Sequence, residues 1–245
     1  MICLQNHDQI GNRALGQRLN DQIDPAAYRA ASALLLLAPE TPLLFMGQEW
    51  AAGTPFLYFT DHHPELGRLV TEGRRNEFRH FAAFSNPIVR EQIPDPQAPS
   101  TFLASRLSWD ERLSEPHAST LRLYHALLDL RRREPALRRP SAFHVAALDD
   151  ATIAIHRDGP RHAFLLVVRL RGAGVVDLEP GRFDARPSDG DGPAGPWEMV
   201  LSSEDPEFSP DPSPPAVNGA EPALTIRFLR PSAVVLRRER ERKQP

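Results

Sequence analysis

One cysteine, Cys3, occurs in 245 residues, which excludes an intrachain disulfide framework and fits a reducing compartment. Long apolar runs are also missing. The longest, residues 33–38, is far too short to span a bilayer. Met1 leads within a few residues into polar sequence, with neither a basic region nor an extended apolar stretch, so no signal peptide is expected and cytoplasmic is the default location. No charge of one sign dominates. A net charge of -3 gives no electrostatic case for nucleic acid or an anionic membrane as partner. What remains is an ordinary soluble composition, 41% hydrophobic and 25% charged, able to bury a core. The 25 prolines gather toward the C-terminal third, where loops should be frequent.

The most informative segment is Leu4-Gln5-Asn6-His7-Asp8-Gln9-Ile10-Gly11-Asn12-Arg13. A short apolar run (Ile2, Cys3, Leu4) stops at Asn6-His7-Asp8, as a buried parallel strand does when it delivers polar side chains into a cleft. A carboxylate and an imidazole there lie where α/β active sites form. On spacing alone, an Asx-turn with a structural histidine explains the segment equally well. Asp24-Pro25 reads as a helix start, with a capping carboxylate and proline at the first helical position. Residues 26–38 continue it, and Pro39 and Pro42 stop it. Residues 43–46 read as another short buried strand, ended by Gly47-Gln48-Glu49-Trp50. Residues 1–50 therefore spell one βαβ unit with a right-handed crossover.

Residues 54–116 are aromatic, proline-punctuated and without a sustained period. A connection far beyond about 15 residues is usually functional or hides small elements. Residues 118–133 keep helical spacing through Leu123, Leu127 and Leu130, with Arg131-Arg132-Arg133 suited to the negative end of the dipole and Pro135 closing the helix. Beyond Pro140 short β-like runs follow at 142–145, 152–156, 163–169, 197–201, 224–229 and 233–237, separated by Gly/Pro/Asp-rich loops at 172–196 and 202–223. The pattern suggests a small antiparallel sandwich, and the charged tail 237–245 reads as frayed.

Other residues could carry chemistry. Glu49, at the end of the next strand, could pair with Asp8 as the two carboxylates of a glycosidase, or could cap or salt-bridge locally. Asp61-His62-His63 resembles a metal-binding triplet but lacks the further spaced aspartates such a site needs, so surface or sugar-contacting residues are expected and no metal. Trp50, Phe56, Tyr58, Phe59, Phe78, Phe81 and Phe84 could stack on sugars. More often such residues pin a long loop to its domain. Arg68, Arg74, Arg75 and Glu77 read as a solvated, salt-bridged face.

Several stretches together resemble one family. These are the segment from Leu4 to Arg13, Pro42-Leu43-Leu44-Phe45-Met46-Gly47-Gln48-Glu49-Trp50, Pro55-Phe56-Leu57-Tyr58-Phe59-Thr60-Asp61-His62 and Gly73-Arg74-Arg75-Asn76-Glu77-Phe78. Ile93-Pro94-Asp95-Pro96-Gln97 and Thr101-Phe102 extend the match. They are similar to the malto-oligosyltrehalose trehalohydrolases, glycosidases of the α-amylase superfamily in trehalose biosynthesis. The likeness covers about the first 135 residues. It implies the C-terminal portion of a TIM barrel, its last two βα units (1–138), followed by a β-sandwich domain (139–245), with six barrel strands lying upstream. It also implies hydrolysis of the α-1,4 bond next to the terminal trehalose unit by a retaining mechanism. Asp8 matches the third acidic residue, which holds the sugar's 2- and 3-hydroxyls and stabilises the transition state. His7, Gln9, Asn6, Arg13, Glu49 and Trp50 are the substrate-binding set so implied, which displaces the Asp8/Glu49 pairing. No cofactor is expected. Partners are a malto-oligosyltrehalose or maltodextrin substrate and the missing N-terminal barrel segment. Because no residue matches the aspartate nucleophile or the glutamic acid/base, the chain alone is expected to be inactive. A truncated α-glucan-binding module, or another superfamily member such as a branching enzyme, is the alternative.

Overall fold

The structure is a computed structural model that describes residues 1–138, 143–178, 196–218 and 224–239. The start of the strand expected at 142, most of the first expected loop, the end of the second and the last six residues fall outside them. The described residues form helices α1 (His7–Gly11), α2 (Pro25–Leu37), α3 (Pro64–Glu77), α4 (Pro87–Glu91), α5 (Pro99–Ala104), α6 (His117–Arg133) and α7 (Pro135–Arg138). The strands are β1 (Phe143–Asp149), β2 (Thr152–Arg157), β3 (His162–Arg169), β4 (Gly174–Leu178), β5 (Glu198–Ser202), β6 (Ala216–Asn218), β7 (Leu224–Phe228) and β8 (Ser232–Glu239). No helix among them is long and apolar enough to cross a membrane.

The chain forms two compact bodies. One comprises residues 1–4, 23–43 and 112–245; the other comprises 5–22 and 44–111.

In the first body, α2 starts as its sequence dictates. The Asp24 carboxylate accepts from the Ala26 and Ala27 N–H groups, and Pro25 sits in the first turn. The helix is apolar nearly all round because it is covered on more than one side. It packs on α6 and on strands β3 and β8. Its flanks meet in a single parallel bridge between Ile2 and Pro42, where Ile2 N–H donates to Thr41 (3.0 Å) and Leu43 N–H to Ile2 (2.8 Å). The βαβ direction is thus as expected, but the second strand is not a buried ladder. Leu43 and Met46 are exposed, since a lone pair of strands has no neighbours to cover it.

The sheets of this body are antiparallel, ordered β1-β2-β3-β8-β5 and β4-β7-β6. Alternate residues interleave between them: Leu165, Val167, Val234 and Leu236 from one sheet meet Val176, Leu178, Ile226 and Phe228 from the other. Strands β3 and β8 are buried on both faces, one against the second sheet and the other toward α2, which explains their unbroken apolar runs. Strands β4 and β6 lie inside stretches read from sequence as loop. Pro135 follows the cap residue Glu134, where α6 stops as expected, and it also opens the short α7. Of the basic run, Arg132 and Arg133 pair with Asp129 on their own helix. Arg131 leaves α6 and donates to the carbonyls of Leu36, Ala38 and Glu40 at the end of α2.

In the second body the long irregular connection does hide elements, chiefly the 14-residue α3. Phe45, Phe56, Phe59 and Phe102 form a run of edge-to-face contacts with centroids 5.0, 5.8 and 5.2 Å apart, and Phe78 packs against Phe81 and Phe84. These aromatics pin the connection down.

Candidate functional site

The segment that opens this second body begins with Gln5, whose buried side chain accepts the Leu19 N–H (2.8 Å). Asn6 follows in extended conformation and turns the chain into α1 through a reciprocal cap. Its Oδ1 accepts from Gln9 N–H (3.1 Å), while Gln9 Oε1 accepts from Asn6 N–H (3.0 Å). His7 and Asp8 therefore lie in the first turn of a short helix rather than on the last residues of a strand. There a carboxylate is favourably placed against the helix dipole. His7 Nε2 is 3.3 Å from Asp8 Oδ1, and the two side chains are 68% and 73% exposed. Ile10, in the same helix, is fully buried.

What holds this pair in place is a frame of buried polar residues. Arg74 was expected on a solvated face, and the structure corrects that. It is 8% exposed, and its Nη2 donates to the carbonyls of Gly11 (2.6 Å) and Arg13 (3.0 Å) at the end of α1. Its guanidinium lies 4.7 Å from the Tyr58 ring centre and 5.4 Å from that of Phe78. Burial pulls its pKa below the ordinary arginine value, and Glu77 and Tyr58 oppose that pull. Arg68 and Glu77 are exposed as the sequence suggests, and Arg68 pairs with Glu72 one turn on. Arg18, unremarked in the sequence, is fully buried and donates to the carbonyls of Thr54 (2.5 Å) and Met46 (2.8 Å). Gly16, at φ +61°, lets the Phe56 main chain approach so closely that a Cβ would sit 2.5 Å from its oxygen.

The remaining expected site residues divide between surface and frame. Arg13 is half-buried and donates to the Gln17 carbonyl (2.5 Å). Glu49 is half-buried in a 3-10 turn, Gln48–Trp50, entered through Gly47 at φ +80°. Trp50 is 1% exposed and lies 5.2 Å from Trp109, so it packs inside the body instead of offering a surface ring. Asp61 and His62 are exposed, and His63 caps α3. Among the described residues, no group of three or more histidine, cysteine, aspartate or glutamate side chains converges to hold a metal ion.

A second cross-brace, also missed from sequence, fixes α3. Thr71 donates to Asp95 (2.6 Å), which also accepts the Gln97 N–H (3.0 Å). The Gln97 side chain accepts from Thr60 (2.5 Å) and donates to the His62 carbonyl (2.9 Å). The Thr71 hydrogen bond, helped by the Gln97 N–H, holds the Asp95 carboxyl below the usual carboxylate range. The signal available in sequence was the motif Ile93–Gln97 itself, whose polar residues turn out to be structural.

Comparison with known proteins gives this frame a context. No protein-family model matches the chain. Over 139 residues, 56% of the chain, it is 58% identical to the malto-oligosyltrehalose trehalohydrolase of Deinococcus radiodurans. It is 46% identical over 140 residues to the enzyme of that name from Rhizobium sp. strain M-11, and 48% identical over 132 residues to that of Arthrobacter ramosus. The aligned part is 22–23% of each relative, so the chain spans about a fifth of the length of the curated proteins it matches. Among solved structures, an α-amylase-type protein of Salmonella typhimurium superposes with a TM-score of 0.68 at 31% identity, covering 98% of this chain and 35% of that one. The α-amylase of H. orenii gives 0.54 at 15% identity, covering 98% and 39%, a likeness of fold alone. Over rather more than half its length the chain is thus a sequence relative of the malto-oligosyltrehalose trehalohydrolases, and its fold is similar to part of that of α-amylase-type proteins.

Proposed function

We propose that this chain is the sugar-gripping part of a trehalose-releasing glycosidase, formed by the last two βα units of a TIM barrel and a following β-sandwich. The observation that carries the reading is the contrast at α1. His7 and Asp8 point to solvent, while the residues beneath them are buried and hydrogen-bonded. A carboxylate that must meet two vicinal hydroxyls needs its helix held in one orientation, and such a frame does that. In this role Asp8 accepts hydrogen bonds from the 2- and 3-hydroxyls of the glucosyl ring, and these strengthen as the ring flattens toward an oxocarbenium-like transition state. His7 bonds the same ring. Gln9, Asn6, Arg13, Glu49 and Trp50 shape the surround, Trp50 from within.

Bond cleavage requires a nucleophilic aspartate and a glutamic acid/base, which we place outside these 245 residues, on the barrel strands that would cover the exposed Ile2, Leu43 and Met46. General acid–base assistance alone is worth about 10²–10⁴ in rate, and Asp8 cannot supply it while holding hydroxyls. The purified chain is therefore expected to bind maltotriosyltrehalose without releasing trehalose. Calorimetry and a trehalose assay test both halves. Turnover at an enzymatic rate would refute the division of labour, and absence of saccharide binding would refute the grip. The exposed rings of Phe59 and Phe102 favour a second reading, a non-catalytic α-glucan-binding module. In that case maltodextrins without a trehalose end would bind equally well.

A further inference from the structure

We infer that Arg74 is the positioning residue of this site: by bridging the Gly11 and Arg13 carbonyls it fixes the orientation of α1 and hence of Asp8 and His7. This rests on the reading of Asp8 as a sugar-holding group.

Helix α1 is only five residues long, so most of its carbonyls have no partner within it. The backbone closes part of the deficit, because Asn12 N–H donates to Asp8 and Arg13 N–H to Ile10. Gly11 and Arg13 are left to Arg74, and a cation at the end of a helix also opposes its dipole. Arg74 can do this because α3 is itself immobilised. Thr71, one turn earlier, is tied to Asp95, and Gly67 lies so close to Gln97 that a Cβ there would overlap its side chain. The Tyr58 and Phe78 rings hold the guanidinium in place. The path from Asp95 through α3 and Arg74 to α1 is continuous, and each link is a hydrogen bond or a packed ring.

Both carbonyl contacts run to one atom, Nη2, so chemistry separates the possible substitutions. Arg74→Met keeps an apolar stem between the two rings but removes the donor. Arg74→Lys returns a positive charge near the same two acceptors, on a side chain that ends one bond short of Nη2. Arg68→Met, on the same helix and exposed, serves as control.

The experiment compares these variants in the full 245-residue chain by amide hydrogen exchange, thermal unfolding and calorimetric titration with maltotriosyltrehalose. Loss of a charged donor to two carbonyls should speed exchange at residues 9–13 in Arg74→Met by about tenfold or more, with the remainder of residues 5–22 and 44–111 little changed. The saccharide Kd should weaken about tenfold while Tm falls by only a few degrees, Arg74→Lys should recover part of both effects, and Arg68→Met should change neither. Unchanged exchange at residues 9–13 overturns the inference, as does exchange that rises uniformly across the body, which would mean Arg74 merely stabilises the fold. Failure of the unaltered chain to bind saccharide defeats the functional reading instead, and the exchange data then still decide whether Arg74 orients α1.

Discussion

Glu204 is the place where a single substitution should cost most. Its side chain is fully buried in the first body, beside α2. Oε1 accepts two hydrogen bonds from Arg29 of α2, from Nε at 2.8 Å and Nη2 at 2.6 Å, and Oε2 lies 2.8 Å from Arg230 Nε. Burial pushes the Glu204 carboxyl above its ordinary pKa, and the Arg29 and Arg230 guanidiniums oppose that push. Glu204→Gln keeps the volume but leaves the buried Arg29 without its counter-charge. Removing one partner of a buried pair costs about 3–5 kcal/mol. For a chain of this length each kcal/mol moves Tm by about 2–4 °C, so a fall of roughly 6–20 °C is expected. Arg230 retains Asp211, 3.0 Å away, and will not add a second orphan. Replacing both members, Arg29→Met with Glu204→Leu, should restore most of the loss, since a buried ion pair and a packed apolar pair are often equivalent. Thermal unfolding of the wild type, Arg29→Met, Glu204→Leu and the double variant closes the cycle, with Glu204→Gln measured alongside. A single-variant loss below about 1 kcal/mol, or a double variant as unstable as the two single losses added together, would refute the claim that charge compensation, not packing, holds this contact.

Two further outcomes follow from the second body. Gly16→Ala should destabilise by more than about 1–2 kcal/mol, because it places a side chain at positive φ and against the Phe56 carbonyl, whereas Gly73→Ala, in exposed helix with open space around it, should stabilise by about 0.5–1 kcal/mol; equal chemical denaturation midpoints for the two would contradict this. Asp95 should titrate below its unfolded value of 3.8, so its contribution to stability is complete above that pH and is lost as pH falls through the folded pKa. Thr71→Val should move the titration back up, and a wild-type Asp95 carboxyl signal in NMR titrating at or above 3.8 would show the brace to be absent.

Where regular packing decides the structure, the sequence was readable. Helix α2 announced both its cap and its apolar faces, α6 its leucine spacing, and β3 and β8 their unbroken runs. Helix α3 escaped because its buried positions are Gly67 and Arg74, which leave no apolar stripe for periodicity to detect. Strands β4 and β6 escaped because they are short and set among Gly, Pro and Asp, with only Val176, Leu178 and Val217 marking their inward sides. Asn6-His7-Asp8 was legible as a candidate site, but its frame was not. A guanidinium that serves main-chain carbonyls distant in sequence has no local signature, and next to glutamates it reads as surface charge.

That failure has one physical source, which also accounts for how the site is built. Irregular chain leaves carbonyls without partners, and a buried carbonyl must find a donor or destabilise the fold. Arginine suits the task because one side chain reaches several acceptors and remains charged when partly desolvated. Arg18 takes the carbonyls of Thr54 and Met46, Arg74 those of Gly11 and Arg13, and Arg131 three at the end of α2. Each fixes a bend that no strand or helix specifies. An apolar core could exclude water from such bends but could not choose among their conformations, because dispersion is non-directional. Directional donors can, so the segment carrying Asp8 owes its geometry to polar burial even though the neighbouring Ile10 and Ala14 supply the apolar contact.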